Sequence, residues 1–255
     1  MFEQVLMPLA GWALLMALAS AAGLALVGAW PWAPRAREAG VALAAGLGAA
    51  PLLAGLAMVA VLAVLPGAPA RTQAGVAFGL LGVAGLAGWI SGATRRAIVP
   101  ARDLLPSSPA AVLACGFFVA LLLDVATVPL IQNDALEYAT VGRILFDTRD
   151  LASYPVLQAQ GHPSGFYGPW THPPLYVALL ELGFALQGTS EHALLMRLVA
   201  PWCLGGAALC VAALVRWADP ARPQDGRWRP CFWSARHCFS WAPPRRSSMR
   251  CPCSA

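Results

Sequence analysis

The sequence predicts an all-α integral membrane protein, a polytopic helical bundle. Hydrophobic residues make up 58% of the 255 residues and only 11% are charged, which is more apolar surface than a soluble domain of this length can bury in one core. The apolar residues also come in runs that approach the roughly 20 residues a helix needs to cross a bilayer. The bilayer is therefore the predicted surrounding of most of the chain.

Six apolar runs are candidate transmembrane helices. Four are long enough to span, and they cover residues 5–30, 40–65, 74–94 and 109–131. A fifth run, at 173–188, is short for a span, and a sixth, at 198–215, is about long enough. Proline inside a run, such as Pro51, is tolerated because neighbouring helices satisfy the backbone groups that it leaves free.

Arginine distribution predicts the orientation of the bundle. All 17 basic residues are arginine, and short arginine-rich loops are usually cytoplasmic. The second loop carries only Arg71, whereas the first and third carry Arg35, Arg37, Arg95, Arg96 and Arg102. The N-terminus and the polar segment 132–172 are therefore expected outside the cytoplasm. A complete fifth span would conflict with this rule, because it would bring the arginines of "VRWADPAR" outside.

The polar segment 132–172 carries two motifs. The first, "NDALEYATVGRILFD" (133–147), predicts a helix capped by Asn133, in which Asp134, Glu137 and Tyr138 share a face. Carboxylates in a first turn also offset the helix dipole, so a structural role for both stays open. The second motif, "HPPLY" (172–176), opens the next apolar run with prolines, which are favoured in the first turn of a helix.

These two motifs resemble the GT-C superfamily of integral-membrane glycosyltransferases, specifically family 39, which includes protein O-mannosyltransferases and lipid A aminoarabinose transferases. In that family an aspartate follows a span, a tyrosine comes four residues later, and a Lys-Pro-Pro-Leu-type motif opens the next span. The resemblance covers about residues 110–216. It departs at Ala135, where the family often has glutamate, and at His172, where it has lysine.

The resemblance implies inverting transfer of a sugar from a polyprenyl-phosphate donor to a hydroxyl of a lipid, glycan or protein acceptor. The reaction would occur at the extracytoplasmic face of the plasma (inner) membrane. Asp134 would be the catalytic base, and the implied substrate-binding residues are Glu137, Tyr138, Arg143, His172 and Tyr176. One base suffices for such a transfer, whereas a glycosidase needs two carboxylates.

Further expectations concern the residues around this base. The helix 133–146 is expected to lie at the membrane surface, with Asp134 and His172 facing one cavity. Glu137 is expected to position its neighbours or to pair with an arginine. His172 would bind the donor phosphate in a pH-dependent way, because histidine titrates near neutrality. No cofactor or metal is predicted, since His162 and His172 form a weak ligand pattern, and no nucleic-acid partner is predicted.

The chain is expected to divide into three parts. Residues 1–98 form three transmembrane helices with no role in the family, and 109–216 form a partial GT-C module, so that the chain looks truncated. Residues 217–255 read as an aberrant or disordered tail rich in arginine and cysteine. A reading-frame shift or truncation near residue 225 explains this tail better than a zinc site, because the cysteine spacing matches no familiar ligand pattern.

Two alternatives to an active glycosyltransferase stay open. The chain would be an inactive, truncated glycosyltransferase, or it would be a membrane transporter or scaffold subunit. Intramembrane carboxylates are costly and usually face the bundle interior, so a transporter predicts that Asp124 and Glu181 line a polar path across the bilayer. An enzyme predicts instead that Asp134, Tyr138 and His172 converge on one extracytoplasmic cavity.

Overall fold

The structure is a computed structural model of the 255-residue chain. It describes residues 2–30, 41–98, 119–120, 133–151, 174–191 and 193–218, and within these ranges it contains helices and no strands. In chain order the helices are α1 (Phe2–Ala29), α2 (Val41–Gly48), α3 (Ala50–Val64), α4 (Ala70–Ile90), α5 (Ala93–Ile98), α6 (Asn133–Thr148), α7 (Pro174–Gln187) and α8 (Leu194–Ala218).

Four of the predicted spans are helices long and apolar enough to cross a membrane: Leu6–Ala29, Val41–Val64, Ala70–Ile90 and Leu194–Val215. The chain is therefore a multi-pass helical membrane protein. The fifth run forms α7, whose 14 residues are short for a span, as its sequence predicted. The predicted span at 109–131 lies outside the described residues, except for two helical residues at 119–120.

The second span is divided between α2 and α3. Ala49 separates the two helices, and Pro51 occupies the first turn of α3, where its missing N–H leaves no hydrogen bond unmade. The N–H groups of Ala49 and Leu53 donate to the carbonyls of Ala45 and Ala49, at 2.9 and 3.0 Å. These bonds join the two helices end to end, so that together they form one continuous apolar span.

The third span, α4, begins and ends four residues earlier than the predicted range of 74–94. Its first turn includes the polar residues Arg71 and Gln73, which the apolar run left out. Its end is set by Gly92, which adopts a left-handed conformation with φ +71° and donates its N–H to the Trp89 carbonyl at 3.1 Å. Glycine is the usual residue for such a helix terminus because it has no Cβ to clash.

One end of the bundle, called here the α5 end, brings together α5, the start of α2 and the C-terminal ends of α1, α4 and α8. Gly28 of α1 lies against Ala93 of α5, and Val41 of α2 is buried with Ala213 of α8. The segment that follows α8 therefore leaves at the same end as the arginine-bearing loop after α1. Because α8 ends there, the arginines of "VRWADPAR" come at the end that the positive-inside rule assigns to the cytoplasm, and not at the outside as a complete fifth span would require.

The opposite end, called here the Gln73 end, is joined by hydrogen bonds. The fully buried Gln73 donates from Nε2 to the Leu65 carbonyl at 2.9 Å and to the Arg149 carbonyl at 3.1 Å. The N–H of Gly67 donates to the same Arg149 carbonyl at 2.8 Å. These bonds tie the α3–α4 loop to the C-terminal end of α6, and Arg149 accepts them from a left-handed conformation, with φ 59°.

The predicted C-terminal tail lies almost entirely outside the described residues. The chain separates into a compact unit at Met1–Pro223 and a second unit at Gln224–Ala255. Within the predicted tail only Trp217 and Ala218 are described, as the last residues of α8. The expectation of an aberrant or disordered tail stays a prediction.

Candidate functional site

The two motifs of the polar segment fall on neighbouring helices that run parallel and in register. Along their contact each residue of α6 meets the residue of α7 that lies 38 positions later. The contacting pairs are Tyr138 with Tyr176, Gly142 with Leu180, and Phe146 with Phe184. Both helices therefore point from the interior of the bundle toward the Gln73 end, with their N-terminal ends side by side.

Helix α6 packs along the bundle and does not lie across its end. Val141 and Leu145 are each only 1% exposed, and at Gly142 the helices are so close that an added Cβ would lie 2.9 Å from the Leu180 Cβ. Helix α7 in turn runs along α3, where Leu175 lies against Gly55. The expectation of a helix lying at the membrane surface is wrong, because α6 runs parallel to α7, and α7 extends along the bundle from Gly55 of α3 to Arg71 at the start of α4.

The contact between Tyr138 and Tyr176, called here the tyrosine pair, joins the two motifs. The ring centroids are 5.1 Å apart and the ring planes are at 89°, an edge-to-face arrangement that typically contributes about 0.5–1.5 kcal/mol beyond area burial. Both rings are half-buried, and Cys203 of α8 packs with them against the main hydrophobic core. The pair lies about 16 Å from the Gln73 end, since Tyr138 precedes Arg149 by about three helical turns.

The proposed base, Asp134, lies in the first turn of α6. Residues four positions apart share a helix face, so position 134 is on the same face of the α6 backbone as Tyr138. Position 137 directly precedes Tyr138 and lies about 100° around the helix from it, so the expectation that all three residues share one face was too broad. The side chains of Asp134 and Glu137 lie outside the described residues, as does His172. The predicted cavity between Asp134 and His172 therefore stays a prediction.

Arg143 is not brought to the tyrosine pair. Its Nε lies 3.7 Å from the Asp147 Oδ2, one turn later on α6, and the two side chains are 57% and 52% exposed. An ion pair this exposed contributes little stability. Asp147 also accepts a hydrogen bond from the Ser190 hydroxyl at 3.2 Å. The pair therefore belongs to the connection between α6 and the α7–α8 turn.

Of the two carboxylates predicted to lie within the membrane, only Glu181 belongs to the described residues. Asp124 lies outside the described residues. Glu181 of α7 is fully buried, and neither of its carboxyl oxygens has a hydrogen-bond partner within the described part of the chain. The described ranges also contain no group of three His, Cys, Asp or Glu residues that would hold a metal ion.

Two residues near the site were missed by sequence reasoning. Gln73 fixes the C-terminal end of α6, and the signal for it was a glutamine directly beside an apolar run. Cys203 lies inside the apolar run 198–215, and in the folded bundle it packs with the tyrosine pair against the main hydrophobic core. No spacing along the chain predicts this proximity, because α7 and α8 meet only in the folded bundle.

Comparisons with protein-family models, with curated proteins and with solved structures found no match. The likeness to membrane glycosyltransferases therefore rests on the residues of the two motifs alone.

Proposed function

We propose that this chain is a membrane-embedded glycosyltransferase module that transfers a sugar from a polyprenyl-phosphate donor to an acceptor hydroxyl. The observation that carries the proposal is the tyrosine pair. Tyr138 and Tyr176 belong to motifs separated by a long polar segment, and yet their rings are in direct contact. A site built from both motifs requires such a convergence.

In this proposal Asp134 is the general base. Position 134 is one helical turn before Tyr138 and on the same side of the α6 backbone, which supports this assignment. A hydroxyl is a poor nucleophile, and a carboxylate that accepts its proton in the transition state typically contributes about 10² to 10⁴ in rate. The proton passes to Asp134 as the hydroxyl oxygen attacks the sugar's anomeric carbon, and the bond to the donor phosphate breaks with inversion.

The leaving phosphate needs hydrogen-bond donors or positive charge aimed at it. Tyrosine hydroxyls are donors, and the pair supplies one from each motif. His172, two residues before the start of α7, would add a third donor. Arg143 is not assigned this task, because it pairs with Asp147 on the exposed side of α6.

Arginine distribution supports the orientation that the proposal needs. Arg95 and Arg96 are exposed at the α5 end, which the positive-inside rule assigns to the cytoplasm of a plasma (inner) membrane. The Gln73 end is then extracytoplasmic, and the tyrosine pair lies about 16 Å below it. A donor with a lipid tail would reach the tyrosine pair sideways from the bilayer, and the acceptor would enter from the extracytoplasmic side.

The test is sugar transfer by the purified full chain in detergent, with polyprenyl-phosphate hexose and pentose donors labelled in the sugar. Asp134→Asn keeps the size of the side chain and its capping ability but removes the basic oxygen. We expect transfer to fall by about 10² or more. Glu137→Gln is expected to lower transfer only modestly, because position 137 does not share the face of the tyrosine pair.

The matched control is Asp147→Asn, the same change on the same helix at an exposed ion pair. It should leave transfer within about twofold, because loss of an exposed pair changes little. Near-normal transfer by Asp134→Asn, with an active wild-type chain, would remove Asp134 from the mechanism. Absence of transfer by the wild-type chain with every donor would count against the enzyme itself.

A transporter is the second candidate, and Glu181 is the observation that favours it. A carboxyl group without a described partner in the interior of a membrane bundle is a common feature of proton and ion pathways. Proton flux into vesicles that contain the purified chain separates the two functions. A transporter loses flux on Glu181→Gln and is insensitive to Asp134→Asn, whereas the proposed enzyme shows the opposite dependence in the transfer assay.

A further inference from the structure

An open apolar groove runs between α1, α3 and α4, with a volume of about 630 Å³. It lies on a different side of α3 from the tyrosine pair, since Gly55 of α3 faces α7 whereas Leu56 lines the groove. Residues that line it include Ala25, Leu26, Leu56, Leu80, Ala84 and Gly88. The groove is therefore separate from the proposed catalytic site.

The shape of the groove follows from side-chain size. Its floor is shallow where Gly88 of α4 packs directly on Ala25 of α1, because these residues let the two backbones approach closely. Its rims are leucines, and Leu26, Leu56 and Leu80 are each about half exposed. In a bilayer this groove, which is apolar apart from its end at Ser91 and open along its length, faces lipid hydrocarbon.

The end of the groove at Ser91 and Ala93 is polar. Arg96 donates from Nε to the Gly28 carbonyl and from Nη1 to the Ser91 carbonyl, both at 3.3 Å, so the guanidinium is held beside the mouth of the groove. A guanidinium has five N–H donors, and these two bonds leave the others available. Arg95 lies beside it, with its guanidinium carbon 5.0 Å from the centre of the Trp89 ring.

The two arginines supply the charge at this mouth. Both side chains are exposed, and within the described ranges no carboxylate pairs with them, since the salt bridge found there joins Arg143 and Asp147. Arg95 and Arg96 thus put uncompensated positive charge at the polar end of an apolar groove, which is the arrangement that complements an anionic lipid headgroup.

From this arrangement we propose that the groove binds one acyl chain of an anionic phospholipid, with the lipid phosphate held by Arg95 and Arg96. Trp89, half exposed at the same level, marks the depth of the membrane interface, where tryptophan is enriched. Basic residues at the cytoplasmic end of transmembrane helices attract anionic headgroups in this way. A second copy of the chain, packed side by side in the same orientation, would bring its own Arg95 and Arg96 to this mouth, and like charges would oppose it.

The test is lipid retention by the full chain in mild detergent. The purified chain is incubated with equal amounts of phosphatidylglycerol and phosphatidylcholine that have the same acyl chains, and bound lipid is counted by native mass spectrometry. We expect one retained phosphatidylglycerol per chain in preference to phosphatidylcholine. Arg95→Gln and Arg96→Gln should each lower its retention about fivefold, since each arginine near a charged headgroup contributes a factor of that order.

Two control variants make the test specific. Arg71→Gln removes an exposed arginine from the other end of α4 and should leave retention unchanged. Ala84→Phe fills the groove and should abolish retention of either lipid, whereas Gly79→Phe adds the same ring on α4 where nothing lies within 4 Å and should not. If Arg96→Gln fails to fold because its bonds to Gly28 and Ser91 are lost, Arg95→Gln still decides the role of charge.

Three outcomes would overturn the inference. Equal retention of phosphatidylglycerol and phosphatidylcholine would exclude recognition of the headgroup. Unchanged retention in Ala84→Phe would exclude the groove as the acyl site. A lipid-free dimer disrupted by Ala84→Phe would assign the groove to a second copy of the chain. None of these results depends on glycosyltransferase activity, so the lipid site and the proposed function can fail separately.

Discussion

The two ends of the bundle are held together by different physical means. At the α5 end the helices meet chiefly through small residues, as where Gly88 packs on Ala25 and Gly28 on Ala93, with one exposed hydrogen bond from Arg96 to the Gly28 carbonyl. At the Gln73 end they meet through hydrogen bonds, with one buried glutamine and one glycine N–H both donating to the Arg149 carbonyl. Van der Waals packing and polar contacts are both established sources of helix association in membranes.

The two ends of the bundle therefore differ in the substitutions that they tolerate. Close backbone packing leaves no room for an added side chain but does not depend on particular polar groups. A buried polar contact tolerates changes of shape poorly as well, and it also loses its bonds when one donor is removed. The end that holds α6, and with it the first motif, is thus the end that depends on a single side chain.

The largest expected effect is at the α5 end. Gly88→Leu should lower the free energy of unfolding by about 3 kcal/mol, because its side chain would have to displace the α1 backbone near Ala25. The control is Gly79→Leu on the same helix, where nothing lies within 4 Å. It should be neutral or slightly stabilising, since leucine is the better helix former. Equal losses in unfolding titrations of the two variants would show that close packing does not hold this end.

A smaller effect is expected at the Gln73 end. Gln73→Leu removes two hydrogen bonds but also the unpartnered Oε1, so the expected loss is about 1–2 kcal/mol. Hydrogen exchange should rise selectively in α6, because the bond from Gln73 to the Arg149 carbonyl joins α4 to the C-terminal end of α6 and leaves only the Gly67 N–H on that carbonyl when it is lost. The neighbouring, exposed Thr72→Val should change neither quantity, and uniform exchange across α1 and α6 in Gln73→Leu would contradict the local role of the glutamine.

The smallest effect concerns the conformation of Arg149. A non-glycine residue at φ 59° carries a local cost of roughly 1–2 kcal/mol, and glycine at the same position would not. Glycine loses more entropy on folding, so Arg149→Gly should be about 1 kcal/mol more stable than Arg149→Ala. Thermal unfolding of this pair of variants measures the difference, and a more stable alanine variant would exclude strain at this position.

The membrane-spanning helices could be predicted from the sequence because length and apolarity are local properties. The described spans of α1, α2–α3 and α8 fall on the predicted runs. The boundary of α4 could not be predicted, because Gln73 is polar by composition and becomes compatible with a buried helix only when Leu65 and Arg149 accept its hydrogen bonds. That compensation is tertiary and leaves no local pattern.

The location of α6 was mispredicted for a related reason. Its range, Asn133–Thr148, agrees with the predicted 133–147 within a residue. An amphipathic helix with a charged face has the same pattern whether its apolar side meets lipid or another helix. Gly142, which lets α6 approach α7, was the residue that distinguishes the two, but a single glycine inside a helix is too weak a signal to decide it.

Only part of the candidate site could be predicted from the sequence. Tyr138 and Tyr176 were singled out by their motifs, and their contact bears on the proposed site without testing Asp134. Arg143 was chosen for its charge and its nearness along the chain, but its helical position turns it toward Asp147. Side-chain direction on a helix is readable only once the packed face is known.

The parallel alignment of α6 and α7 has a consequence for how the chain is connected. Adjacent parallel helices cannot be joined by a tight turn, so the 25 residues between Thr148 and Pro174 connect two helix ends that lie about one helix length, roughly 20 Å, apart. Fully extended, they would reach roughly 80 Å, several times the required distance. The pairing of the two motif tyrosines is thus encoded in the matched surfaces of the two helices and not in the length of the segment that connects them.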